Sequence, residues 1–118
     1  MDSEELKDRT KKFALNIIRL VEKFPKTRTG VIIGCQLVRA GTSVGANYRS
    51  ACIAQSRAHF ISKMNIVLEE ADESIYWLEL TVESALASND EVKMLHKEAK
   101  ELTAIFTTSI KTARRNKF

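Results

Sequence analysis

Proline is almost absent, with Pro25 the single example in 118 residues, and there are only four glycines and two tyrosines. Such a chain has little of the turn and strand chemistry from which sheets are built. No stretch reaches the ~18 consecutive apolar residues of a membrane span. The opening Met1, Asp2, Ser3, Glu4, Glu5 lacks the basic and then apolar run of a secretory signal, so a cytoplasmic protein without a membrane partner is expected. Catalytic signatures are missing too. His59 and His96 stand alone, in no metal-binding spacing, and no nucleophile elbow, P-loop or dinucleotide fingerprint is present. The carboxylates Glu69, Glu70, Asp72 and Glu73 lack the glutamate-x-x-histidine pairs of a di-metal bundle. A protein with no metal, no cofactor and no catalysis is expected.

What the chain does contain is helical periodicity. At this length one core and one domain, residues 1–118, are expected. A first helix opens at Asp2 and Glu5, in capping-box spacing, and runs through Leu6, Phe13, Ile17 and Leu20 to Phe24, where Pro25 stops it. After a turn over Lys26 to Thr29, a second helix carries Ile33, Leu37, Ala40, Val44, Tyr48 and Ala51 on one face. The register changes near Gln55 and Ser56, which is either a tight turn or a kink in one long helix. A third helix places Phe60, Met64, Val67, Ala71, Ile75, Leu78, Val82 and Ala85 on its core line. Ser88 and Glu91 then have capping-box spacing before a fourth helix through Val92, Leu95, Ala99, Leu102, Phe106, Ser109 and Ala113. Long amphipathic helices with short connections predict an all-α, antiparallel up-down-up-down four-helix bundle.

The second helix has a further stripe, Gly34, Val38, Gly41, Gly45 and Cys52, about 80° from its core face. Each interior glycine costs a helix roughly 1 kcal/mol relative to alanine, so the stripe needs a close-packed neighbour. That neighbour is either a helix of the same chain or another subunit. Trp77, with Ile66 and Leu80, lies about 130° from the core line of the third helix, where it either crosses a neighbouring helix or anchors an interface. Cys35 and Cys52, about 25 Å apart along one helix, cannot bridge each other. They are either buried reduced thiols or partners between subunits.

Charge is sorted along the chain more strongly than the net +4 conveys. No acidic residue occurs between Glu22 and Glu69, and no basic one between Lys63 and Lys93. The cationic second helix and anionic third helix fit either subunit assembly or a track for phosphates. Arg28 and Arg39 share one face with Ser43 and Ser50, and Arg49 lies about 80° away. Lys111, Arg114, Arg115 and Lys117 form a basic end, which either complements the helix dipole or adds to a binding surface. Tyr48 and Phe60 fall on core stripes, leaving no aromatic platform for bases and favouring contact with the backbone.

The run Arg39, Ala40, Gly41, Thr42, Ser43, Val44, Gly45, Ala46, Asn47, Tyr48, Arg49, with Phe60 to Met64 and with Leu68 to Ala71 through Tyr76 to Leu80, resembles a known family. These are the bacterial four-helix-bundle proteins first noticed as reading frames inside intervening sequences of large-subunit ribosomal RNA genes. The motifs cover positions 37 to 80, and the length and helix layout cover the whole chain. Members commonly carry an acid at the position of Ser50 and an aspartate at that of His59, so this chain is the more basic. The resemblance implies a homo-oligomer, usually a pentamer, and kinship with accessory proteins of diversity-generating retroelements, which work with a reverse transcriptase and nucleic acid.

The expected protein is thus a non-catalytic homopentamer that binds RNA or DNA. Arg39 and Arg49 contact phosphates, assisted by Arg28, Arg57, Lys63, Lys111, Arg114, Arg115 and Lys117. Gly34, Gly41, Gly45, Ile66 and Trp77 form the subunit seam. The alternative is a protein-interaction adaptor, for example to a reverse transcriptase, in which the sorted charge serves assembly.

Overall fold

A computed structural model describes residues 1–116. Four helices, α1 (Ser3–Glu22), α2 (Arg28–Cys52), α3 (Arg57–Glu83) and α4 (Asp90–Arg115), form an up-down bundle about 53 Å long and 21 Å across. Each helix packs on the next in sequence and α1 closes the ring on α4, so α1 lies diagonally across from α3, and α2 from α4. The contact of α1 with α4 is the sparsest of the four. Phe13, Ile17, Leu37, Met64, Leu78, Leu102 and Phe106 are fully buried and form the central layers.

Each helix begins at a side chain that satisfies an otherwise orphaned backbone N–H. Asp2 accepts from the Glu5 amide at 2.8 Å, Thr27 from Gly30 at 3.1 Å and Ser56 from His59 at 3.0 Å. The Gln55–Ser56 region is therefore a turn between two helices. Two expected boundaries move: α1 ends at Glu22, with Lys23 as its C-cap, and α4 is capped by Asn89, which accepts from Val92 at 3.1 Å, rather than by Ser88.

The core line of α3 also departs from expectation. Its buried positions continue from Ala71 to Ser74, Leu78 and Thr81, while Val82 and Ala85 are exposed. Polar side chains can occupy those core positions because each hydroxyl donates to the carbonyl one turn earlier, Ser74 to Glu70 and Thr81 to Trp77, both at 2.8 Å. In α4 the corresponding substitution is Ile110, buried where Ser109 was expected. After α3 the chain turns through Ala85 at φ 61°, with Ala85 N–H donating to Val82 and Leu86 N–H to Thr81. That is the hydrogen-bond pattern of a Schellman stop, with alanine in the left-handed position that usually holds glycine.

Candidate nucleic-acid interface

The up-down topology sorts the expected cations by height rather than by face. The end of α2, the start of α3 and the end of α4 meet at one end of the bundle, and this gathers Arg49, Arg57, Lys63, Lys111, Arg114 and Arg115. Tyr48 of α2 and Phe106 of α4, with ring centroids 6.1 Å apart, set the two parallel helices level there. No acidic residue of α2 lies anywhere along it, α3 has none before Glu69, and α4 none after Glu101. The acids at this end, Asp2, Glu4, Glu5 and Asp8, lie at the start of α1, which is diagonal from α3 but packs on α2 and α4, and Glu4 and Asp8 line one groove with Arg49. Among the described residues, Arg49, Lys63, Lys111, Arg114 and Arg115 enter no salt bridge. At α4 the cations complement the negative end of the helix dipole, but Arg57 stands at the positive end of α3, where the dipole disfavours it.

Two of the expected contacts lie apart from this cluster. Arg28 is the exposed first residue of α2, at the opposite end. Arg39 sits midway along the bundle, donating to Glu70 at 3.2 Å and to Glu73. Glu73 also accepts from the Trp77 indole at 3.0 Å. The positive α2 and negative α3 are therefore neighbours within one chain, joined at least in part by this group. Ser43 donates to the carbonyl of Arg39 at 2.6 Å, so its hydroxyl proton is engaged within its own helix. Lys117 lies outside the described residues.

The glycine stripe is corrected from a subunit seam to an internal one. Gly34, Gly41 and Gly45 are buried against α1: a Cβ would stand 2.8 Å from Val21, 3.0 Å from Ile17 and 3.1 Å from Thr10, respectively. Missing side chains on α2 thus let α1 approach closely. Ile66 is exposed on α3, while Trp77 is half-buried, edge-on to Tyr76 with centroids 5.1 Å apart. Cys35 and Cys52 are both free thiols, the first exposed and the second half-buried.

A clamp that the sequence pattern did not reveal holds the sparse α1–α4 side. Arg9 donates to both oxygens of Glu98, at 2.7 and 2.6 Å, and to Glu101 at 2.9 Å. Hydrogen bonding to Glu98 raises the guanidinium pKa above that of ordinary arginine, outweighing a smaller opposing effect of burial. Arg9→Ala is expected to lower the unfolding free energy by about 1–3 kcal/mol. Arg9→Lys should recover only part, because an ammonium cannot reproduce the planar fork. Urea unfolding of both variants checks this.

Tyr48 offers a second test. Burial pushes its phenol above the usual value, and the neighbouring Cys52 acts in the same direction. Above about pH 10 the unfolded chain releases this proton while the folded chain retains it. The folded state then binds more protons, so its stability is unaffected below that pH and falls as pH rises beyond it. Tyr48→Phe is expected to flatten this part of the alkaline fall, read by urea melts between about pH 8 and 11.

Fold and surface together define the class: an all-α up-down bundle with a cluster of cations at one end. A model of the 23S rRNA-intervening sequence protein family matches residues 4–108, and the chain belongs to that family. Its structure is similar to that of a protein of unknown function from the S23 ribosomal protein family of Bacteroides thetaiotaomicron VPI-5482, solved at 1.70 Å. The two are 35% identical, with a TM-score of 0.86, and the match covers 94% of this chain and 99% of that one. No curated protein matches. Among the described residues, no helix is long and apolar enough to cross a membrane, and no group of three or more His, Cys, Asp or Glu could hold a metal ion.

Proposed function

We propose that this chain is a non-catalytic nucleic-acid-binding protein that grips phosphates with the cation-rich end of its bundle. The observation that carries this reading is the gathering of Arg49, Lys63, Lys111, Arg114 and Arg115, unpaired among the described residues, where three helices end or begin without nearby acids of their own. Arg9, Lys23 and Arg39, by contrast, are paired with carboxylates. Arginine and lysine without internal partners are suited to phosphate oxygens, and neutralising phosphates releases counterions.

In this reading the protein works as a homo-oligomer, the pentamer implied by its resemblance. Exposed Ile66, with Val31 and Ile32 on α2, leaves apolar surface for subunit contact. Several copies multiply the field of one basic end.

The experiment is binding to structured RNA, duplex DNA and single strands across a salt series, with native mass measured in parallel. Arg49→Glu with Arg114→Glu is expected to reduce the slope of log K against log salt by about two contacts' worth, roughly 0.9 per phosphate on duplex DNA. Affinity near 0.1 M salt should fall by about tenfold or more, with the helical circular dichroism unchanged. Unaltered binding by this variant would remove the basic end from the reading. Absence of binding by the wild type at low salt would put in its place an adaptor for a protein such as the reverse transcriptase of a diversity-generating retroelement.

A further inference from the structure

Ile53 has the most exposed large hydrophobic side chain among the described residues, at 81%. It stands at the tip of the cation-rich end, in the turn between α2 and α3. The turn is hydrogen-bonded: Ile53 N–H donates to Ser50, Ala54 N–H donates to Ala51, and Ser56 caps α3. Nothing in the turn calls for isoleucine, since Ile53 itself has an ordinary φ of −108° and packs into no core. Its neighbours Ala54, Gln55 and Ser56 are small or polar.

The surroundings say what such a side chain can meet. Arg49 lies one turn before Ile53 and Arg57 opens the next helix. The ring contact of Tyr48 with Phe106 sets α2 level with α4, so Ile53, about 7.5 Å beyond Tyr48, comes level with Lys111. Arg114 and Arg115 lie just beyond. An aliphatic group amid cations that hold phosphates gains little from the phosphates themselves; it gains by covering a sugar or the face of a base. In a continuous duplex those faces are stacked, and a wedge must first separate them. At a bulge, loop or helix end they are already open.

We propose that Ile53 packs on an unstacked base while the surrounding cations hold the flanking phosphates, so that this end selects nucleic acid containing unpaired nucleotides. The inference rests on the nucleic-acid reading above and adds a preference to it. An anionic lipid surface is the less favoured partner, because no second large apolar side chain accompanies Ile53 in the turn to extend an insertion face.

The test compares two RNA hairpins of matched stem sequence, both closed by the same compact tetraloop whose bases stay stacked, one with a continuous stem and one with a two-nucleotide bulge, by fluorescence anisotropy. Wild type is expected to prefer the bulged hairpin by about fivefold, the low end of what a base gains from stacking on an aromatic side chain. Ile53→Ser, a change in an exposed turn, should abolish that preference while leaving affinity for the continuous hairpin and its salt slope unchanged. A fluorescent base analogue in the bulge should change its emission on binding wild type and not on binding Ile53→Ser. Equal affinities of wild type for both hairpins, or a preference that survives Ile53→Ser, would overturn the inference while leaving the basic-end reading intact. If neither hairpin binds wild type at low salt, both fail. Ile53-dependent binding to phosphatidylserine vesicles, with no Ile53 dependence on RNA, would instead assign the tip to a membrane surface and also overturn the proposal.

Discussion

Phe106→Ala is expected to lower the unfolding free energy by about 3–5 kcal/mol, the cost of deleting a fully buried aromatic side chain. Phe106 has no exposed surface and tilts against Tyr48 across the centre of the bundle. Two helices contribute to the void it would leave, and neither can shift freely: α2 is tightly docked on α1 through its glycines, and α4 carries the clamp to Arg9. A domain of this kind has about 5–15 kcal/mol in total, so the variant should unfold well below the wild-type urea midpoint. Phe106→Leu, which retains most of the volume, should lose less than about 1.5 kcal/mol. A loss from the alanine variant no larger than that from the leucine one would mean that the core collapses around the void.

Gly30→Ala should be destabilising by about 3 kcal/mol, although helix propensity alone predicts a gain of about 1. The reason is backbone: a Cβ at Gly30 would lie 2.2 Å from the carbonyl oxygen of Pro25. That carbonyl belongs to the turn that returns the chain from α1 to α2, and it cannot move without shifting the proline and the Thr27 cap. Gly41→Ala makes the contrast. Its Cβ would meet only the Ile17 side chain, at 3.0 Å, so the propensity gain and the crowding should nearly cancel, within about 1 kcal/mol. Thermal melts of the pair, followed by circular dichroism, check the ordering; equal losses would show that the turn yields.

The fold was legible because helical periodicity is a local property. The α2 core stripe from Ile33 to Ala51 is buried as the spacing predicts, and Asp2 caps α1. Departures occurred where side-chain type misrepresents environment. Ser74 and Thr81 look polar but satisfy themselves on their own helix, so they can enter the core. The stop of α3 could not be seen because its left-handed residue, Ala85, is not a glycine. Gly30, the most constrained glycine, lay outside the small-residue stripe.

The site was less legible, for a different reason. Helical-wheel angles place Arg28 and Arg39 on one face, but they carry no information about which end of the bundle a residue reaches, and Arg28 lies at the opposite end from Arg49. Neither do they identify a partner: Arg39 meets Glu70 and Glu73 across the α2–α3 contact, and Arg9 meets Glu98 from nearly the other end of the sequence. The glycine stripe correctly signals close approach. Its neighbour, α1, could be known only once the helices were assembled.

The uneven ring of helix contacts also sets an order of events in time. Three of the four helix pairs are consecutive in sequence and joined by short turns, so most native contacts form with little loop to close, and rapid folding follows from such topology. The fourth, α1 with α4, must bring together residues as distant as Arg9 and Glu98, and it is the sparsest. Ring closure is then expected to be the last step of folding and its rupture the first step of unfolding. Loss of the Arg9 clamp would accordingly hasten unfolding while leaving the refolding rate almost unchanged.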